Sequence, residues 1–141
     1  MDTSTRQSHL LETMSTAGMH TDKAWRMVGL SSNSTAWLMY AYVGSRSDED
    51  AFRKVVNTLA NLVRSQKRDI PPRLSVKIAE MIIEQRLTGK SFSQRLCSVI
   101  LSIPRTTYQR HEKGFKLIYT KLDAVISDWE SEAVTVIESH L

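Results

Sequence analysis

The sequence has little cysteine, glycine or proline and no long apolar run, and each shortage excludes a class of protein. Cys97 is the sole cysteine, which excludes an intrachain disulfide and any zinc site built from cysteines. Five glycines and three prolines among 141 residues are too few for a β-sandwich or barrel with many tight turns. The longest uncharged stretch, residues 27–45, is interrupted by Gly29 and a polar Ser-Ser-Asn-Ser run, so no membrane span is expected. No apolar run follows the opening residues, so we expect no secretory signal peptide and a soluble, reducing compartment.

The signatures of common enzymes are also missing. The sequence contains no Gly-x-Ser-x-Gly elbow, phosphate-binding loop, dinucleotide fingerprint or His-Glu-x-x-His motif. Its four histidines lack the spacing of metal ligands, and the closest group of carboxylates, residues 48–50, is explained by a helix start. We therefore expect a protein that is not an enzyme and needs no cofactor or metal.

The apolar pattern predicts an all-α fold. Ser34 is expected to cap a short helix over residues 35–43, and Ser47 a helix that runs to about Gln66. Pro71-Pro72 starts the next helix, which Gly89 ends in a left-handed conformation. Residues 1–20 read as a flexible arm, and residues 21–141 as a single helical domain.

Charge is distributed unevenly along the chain. Residues 1–63 are neutral, whereas residues 64–121 carry thirteen Lys or Arg and four acids, for a net charge of +9. Residues 122–141 carry five acids and no Lys or Arg. The basic segment favours a polyanionic partner, although a solvated basic face gives the same composition. The acidic end is open to two interpretations: it folds back over the basic face, or it binds a different partner.

Two closely spaced helices are predicted within the basic segment. The first begins at Ser91 as its cap and ends at about Leu101; a turn over residues 102–104 leads into the second. This length pattern is typical of a helix-turn-helix, here at about residues 91–113, and the alternative is a generic basic helix. Cys97 is expected to be a small buried residue. A threonine at the position of Thr107 often packs against the core or caps the helix, so its assignment is the least certain. The residues that this motif predicts to bind phosphates and base edges are Lys90, Ser91, Arg95, Arg105, Thr106, Thr107, Gln109, Arg110 and Lys113.

A stripe of apolar residues continues beyond this motif. It predicts one long helix from Pro104 to about Trp129, with its apolar side packed on the core rather than used as a dimer seam. His111 lies on the stripe and is expected to be a buried core histidine. Residues 128–140 are expected to form a last short helix. The tryptophans are interpreted as core residues.

Residues 87–92 (Leu-Thr-Gly-Lys-Ser-Phe) and 101–110 (Leu-Ser-Ile-Pro-Arg-Thr-Thr-Tyr-Gln-Arg) resemble the phage late-gene antiterminators of the Q type. Those proteins carry a helix-turn-helix related to region 4 of sigma factors. Ser98 and Ser102 replace the usual Ala and Gly, and the chain lacks the zinc site of some Q families. The resemblance covers roughly residues 70–122.

The resemblance implies a DNA-binding antitermination factor in the cytoplasm of a bacterial host. Such a protein binds double-stranded DNA near a phage late promoter, joins a paused RNA polymerase and suppresses termination. The acidic end would then contact polymerase or a sigma factor. Two alternatives use the same helix pair: a conventional dimeric regulator and the small DNA-recognising subunit of a phage packaging motor. The oligomeric state stays open.

Overall fold

The computed structural model describes residues 29–44 and 46–139, and the predicted arm over residues 1–20 lies outside them. The described ranges are helical and contain no strand, which confirms the all-α fold. The α-helices, with one π-helical segment at Met39–Val43, are α1 (Ser32–Leu38), α2 (Glu49–Gln66), α3 (Pro72–Thr88), α4 (Gln94–Leu101) and α5 (Arg105–Glu138).

The chain forms two compact units. Among the described residues, those within Val56–Ala124 form the central unit, and those within Met1–Val55 and Val125–Leu141 form the terminal unit. Helices α2 and α5 each supply residues to both units.

In the terminal unit, α1 begins three residues earlier than the sequence predicts. Its cap is Ser31, whose hydroxyl accepts a hydrogen bond from the Ser34 amide at 3.2 Å, so the prediction of Ser34 as the cap is wrong. Ser34 is instead fully buried, and its hydroxyl contacts the Trp129 carbonyl at 3.2 Å and Glu132 Oε2 at 3.0 Å. The buried hydroxyl of Ser34 therefore connects α1 to the end of α5 by hydrogen bonds.

The predicted helix over residues 35–43 is interrupted by a change of helical type. From Met39 to Val43 the backbone is π-helical, and the Gly44 amide donates to the Met39 carbonyl at 2.7 Å, five residues back. The next helix, α2, is capped by Asp48 rather than by Ser47, because Asp48 Oδ1 accepts from the Ala51 amide at 3.0 Å.

The core of the terminal unit contains a buried carboxylate. Glu130 is 4% exposed and accepts hydrogen bonds from Trp37 Nε1 at 3.1 Å and from the Tyr42 hydroxyl at 2.5 Å. Trp37 and Trp129 are buried, which confirms their interpretation as core residues, while Trp25 lies outside the described residues.

In the central unit, α3 has the ends that its punctuation predicts. Pro71 is the cap, Pro72 is the first helical residue, and Gly89 follows the last turn with a φ of 69°. Arg86, in the last turn, is buried and forms an ion pair of 2.7 Å with Asp123, whose side chain is half exposed. The buried apolar side chains of α3 include Ile78 and Ile83.

Helix α5 is longer than predicted. It continues past Trp129 to Glu138, so the separate short helix expected over residues 128–140 is wrong. After Gly114 its sequence contains neither glycine nor proline, and nothing in the backbone requires an interruption. Among the described residues, no helix combines the length and apolar character that a membrane span requires.

Candidate nucleic-acid interface

Helix α4 is joined to α5 by three residues, 102–104, in the central unit. Ser93 caps α4 by accepting a hydrogen bond from the Leu96 amide at 3.2 Å, so the predicted cap at Ser91 is wrong by two residues. The helix ends at Leu101 as expected. Ser102 then adopts the left-handed conformation (φ 57°, ψ 43°), which favours glycine. Its hydroxyl accepts a hydrogen bond from Lys77 Nζ at 2.8 Å.

The inner side of the helix pair is apolar. Cys97, Leu101 and Tyr108 are each 2% exposed, which confirms the buried position predicted for Cys97. The Tyr108 ring stacks on Phe115 with centroids 5.2 Å apart, and its hydroxyl lies 3.1 Å from that of Tyr119. Burial raises the pKa of Tyr108 to about 12, since the anion is poorly solvated there. Burial likewise raises the pKa of Tyr119.

His111 does not belong to this buried side. Its side chain is exposed, which contradicts its predicted role as a core histidine. It borders a small cleft of about 190 Å³ whose apolar walls include Ile103 and Phe115. His111 lies at the edge of the apolar stripe, and a residue at the edge of such a stripe can face solvent although its neighbours on the stripe face the core.

The residues predicted to bind DNA are placed on the outside of the helix pair. Eight of the nine are exposed, and Thr107 is half-buried and borders the cleft, as its uncertain assignment anticipated. The helical spacing places Thr106, Arg110 and Lys113 on the side of α5 away from Tyr108, whereas Arg105, three residues before Tyr108, lies nearer to its side. The exposed eight, which we call the α4–α5 surface, are Lys90, Ser91, Arg95, Arg105, Thr106, Gln109, Arg110 and Lys113.

A chain of polar side chains crosses from α4 to α5 at this surface. Gln94 Nε2 donates to Glu112 Oε2 at 2.6 Å, and Gln109 Nε2 donates to Gln94 Oε1 at 3.2 Å. The second oxygen of Glu112 lies 3.7 Å from Lys116 Nζ. Sequence reasoning found Gln109 but missed Gln94 and Glu112. Fifteen residues separate the two glutamines, and the turn between the helices brings them together.

The acids near this surface are few. From Arg86 to His111 the sequence has no acid, and Glu112 is half-buried with both oxygens directed at partners. The exposed residues among the nine predicted ones are therefore cations and neutral polar groups, and α4 also exposes the apolar side chains of Leu96 and Val99.

The comparisons with known proteins give no relative from which to infer a role. The chain matches no protein-family model, no curated protein and no solved structure. Within residues 29–44 and 46–139, no group of three or more His, Cys, Asp or Glu is arranged to hold a metal ion.

Proposed function

We propose that the protein binds double-stranded DNA through the α4–α5 surface. The observation that carries this proposal is the exposure of five cations on the helix pair and the residues just before it, with no exposed acid among them: Lys90, Arg95, Arg105, Arg110 and Lys113. Each phosphate of duplex DNA carries a negative charge, and neutralising phosphates releases counterions, which drives binding.

The types of side chain also suit the reading of bases. Arginine binds the two acceptors of guanine, glutamine binds the donor and acceptor of adenine, and threonine contacts phosphates or bases. Arg110, Gln109 and Thr106 lie on the outward side of one helix, where such contacts with a groove are made. The buried side chains of Tyr108 and Leu101 support this side from within.

The specific role that we propose is transcription antitermination on bacterial RNA polymerase. This part of the proposal is supported by the resemblance of residues 87–92 and 101–110 to the Q-type antiterminators. In that role the protein engages DNA near a late promoter and joins the paused enzyme.

DNA binding is tested by titrating fluorescent duplex DNA at several salt concentrations. We expect Arg105→Ala and Arg110→Ala each to weaken binding. A variant that loses a phosphate contact should also lower the salt slope by about one, and a variant that loses a base contact should relax the sequence preference. Arg53→Ala is the matched control, because Arg53 is also exposed but belongs to the terminal unit. If both variants bind as the wild type does while keeping their helical circular dichroism, the α4–α5 surface is not the interface.

Antitermination is tested by in vitro transcription with bacterial RNA polymerase, on a template with the protein's own late-promoter region and a downstream terminator. Readthrough that needs both the protein and the promoter-proximal DNA is the expected result. Binding without readthrough would retain the DNA interface and remove the antiterminator role. The mass in solution then separates a dimeric regulator from a ring-forming packaging subunit.

A further inference from the structure

Gln109 of the α4–α5 surface and the half-buried Gln94 and Glu112 form a relay in which each side chain fixes the orientation of the next. A carboxylate accepts hydrogen bonds and donates none. The atom of Gln94 that lies 2.6 Å from Glu112 Oε2 must therefore be its amide nitrogen. The amide oxygen of Gln94 then points the other way.

The same argument applies one step further along the relay. Gln94 Oε1 accepts a hydrogen bond from Gln109 at 3.2 Å, so the amide of Gln109 must present its nitrogen to Gln94. Gln109 is exposed, and in the described part of the chain no donor contacts its Oε1. Gln109 is left with an oxygen acceptor and a second N–H donor, side by side.

This pair of groups matches one base. In the major groove adenine presents the N6 amino donor beside the N7 acceptor, whereas guanine presents two acceptors, O6 and N7. An amide with a free oxygen and a free N–H pairs with adenine; an amide turned around, with both N–H groups outward, pairs with guanine.

We propose that Glu112 and Gln94 are positioning residues that make Gln109 select adenine over guanine. This inference rests on the proposed function, since it assigns a base to a residue of the DNA-binding surface. Neither positioning residue touches DNA. Glu112 sets the direction of the relay because it is an acceptor, and Gln94 transmits that direction across the turn.

The relay makes a prediction that a merely structural role does not make. Glu112→Gln allows either end of the Gln94 amide to face position 112, so the orientation of Gln109 is no longer fixed. Glu112→Lys replaces the acceptor with a donor, which turns Gln94 around and then Gln109. The adenine preference should weaken in the first variant and reverse towards guanine in the second.

The experiment selects duplexes from a randomised pool with the full-length protein. The position read by Gln109 is the one whose base preference disappears in Gln109→Ala. The ratio of affinities for adenine and guanine is then measured there by competition. A well-formed bidentate contact gives a ratio of about tenfold.

We expect the ratio to fall at least about threefold in Glu112→Gln and in Gln94→Ala, and to drop below one in Glu112→Lys. Glu84→Gln removes the same charge from an exposed residue of α3 and should leave the ratio unchanged. Circular dichroism checks that each variant folds; if Glu112→Lys does not, the ratios of the other two variants decide.

The outcomes separate the relay from the proposed function. If the wild type selects adenine but the ratio persists in both Glu112→Gln and Gln94→Ala, the relay is overturned and DNA binding stands. A wild type that binds duplexes but prefers another base, or none, at the Gln109 position also overturns the relay. A wild type that binds no duplex overturns DNA binding, and the relay with it.

Discussion

The two units of the chain use charged side chains in opposite ways. In the terminal unit the carboxylates of Glu130 and Glu132 accept hydrogen bonds from neutral indole and hydroxyl donors. In the central unit the buried charge is a cation, Arg86, paired with the carboxylate of Asp123. Most of the remaining cations of the central unit are exposed.

This difference shows why net charge along a sequence is an uneven guide to surface charge. Several acids between residues 122 and 141 have partners within their own unit, among them Asp123, Glu130 and Glu132. By contrast, eleven of the thirteen Lys and Arg between residues 64 and 121 are exposed, since Arg86 is buried and Lys77 is half-buried. The basic character of the central unit is a surface property, whereas much of the acidity that follows it is structural.

The largest expected change in the free energy of unfolding comes from breaking the ion pair of the central unit. Asp123→Ala leaves the buried guanidinium of Arg86 without its carboxylate, which should lower the free energy of unfolding by about 3 kcal/mol. Asp128→Ala, on the same helix and exposed, should change it by less than about 0.5 kcal/mol. Urea unfolding measures both values. Equal effects of the two variants would mean that the buried cation does not depend on its partner.

A smaller change in the free energy of unfolding is expected from replacing Glu130, the buried carboxylate of the terminal unit. Glu130→Gln keeps the size of the side chain but replaces the charged oxygen that accepts from both Trp37 and Tyr42 with a neutral amide oxygen. A hydrogen bond to a charged acceptor is stronger by about 1 kcal/mol, so weakening the two should lower the free energy of unfolding by about 2 kcal/mol. Urea unfolding again measures the change, with Asp128→Asn as the matched control. A cost below about 0.5 kcal/mol would show that neutral donors hold a neutral acceptor equally well.

The smallest expected effect is on the free energy of unfolding at alkaline pH, where the buried Tyr108 of the central unit titrates. The pKa of Tyr108 is raised from 10.0 to about 12 by burial, so the unfolded chain loses this proton first as the pH rises. The stabilising contribution is complete below pH 10 and disappears as the pH approaches 12. Tyr108→Phe should therefore flatten the decline of unfolding free energy over this range, by up to about one proton in the slope. Denaturant unfolding at pH 9, 10 and 11 measures it, and parallel declines would contradict the assignment.

The ends of a helix could be predicted where the chain carries prolines and glycines that start or stop helices. Pro71, Pro72 and Gly89 have backbone preferences that few other residues share, and they delimit α3 as expected. Caps in serine-rich segments could not be placed, because neighbouring residues are almost equally good caps. Asp48 was therefore missed in favour of Ser47, and similar errors of two and three residues occurred at the starts of α4 and α1.

The sequence predicts which residues of the candidate site are exposed, but not the hydrogen bonds between its two helices. The periodicity of α5 separates the exposed Arg110 and Lys113 from the buried Tyr108 and Phe115. Contacts between helices depend on how the turn directs the two helices, which spacing alone does not give. For this reason Gln94 was missed although it is the first residue of α4.

The π-helical segment at Met39–Val43 has a consequence for changes in chain length. Its backbone bonds span five residues instead of four, so it holds one residue more than an α-helical turn would. Deleting a single residue there would restore the α-helical repeat and rotate all preceding side chains of α1 by about 100° relative to those that follow. Trp37 would then leave the donor position that it occupies against Glu130. At this point in the chain, an insertion or deletion during evolution alters the direction of side chains rather than the length of a loop.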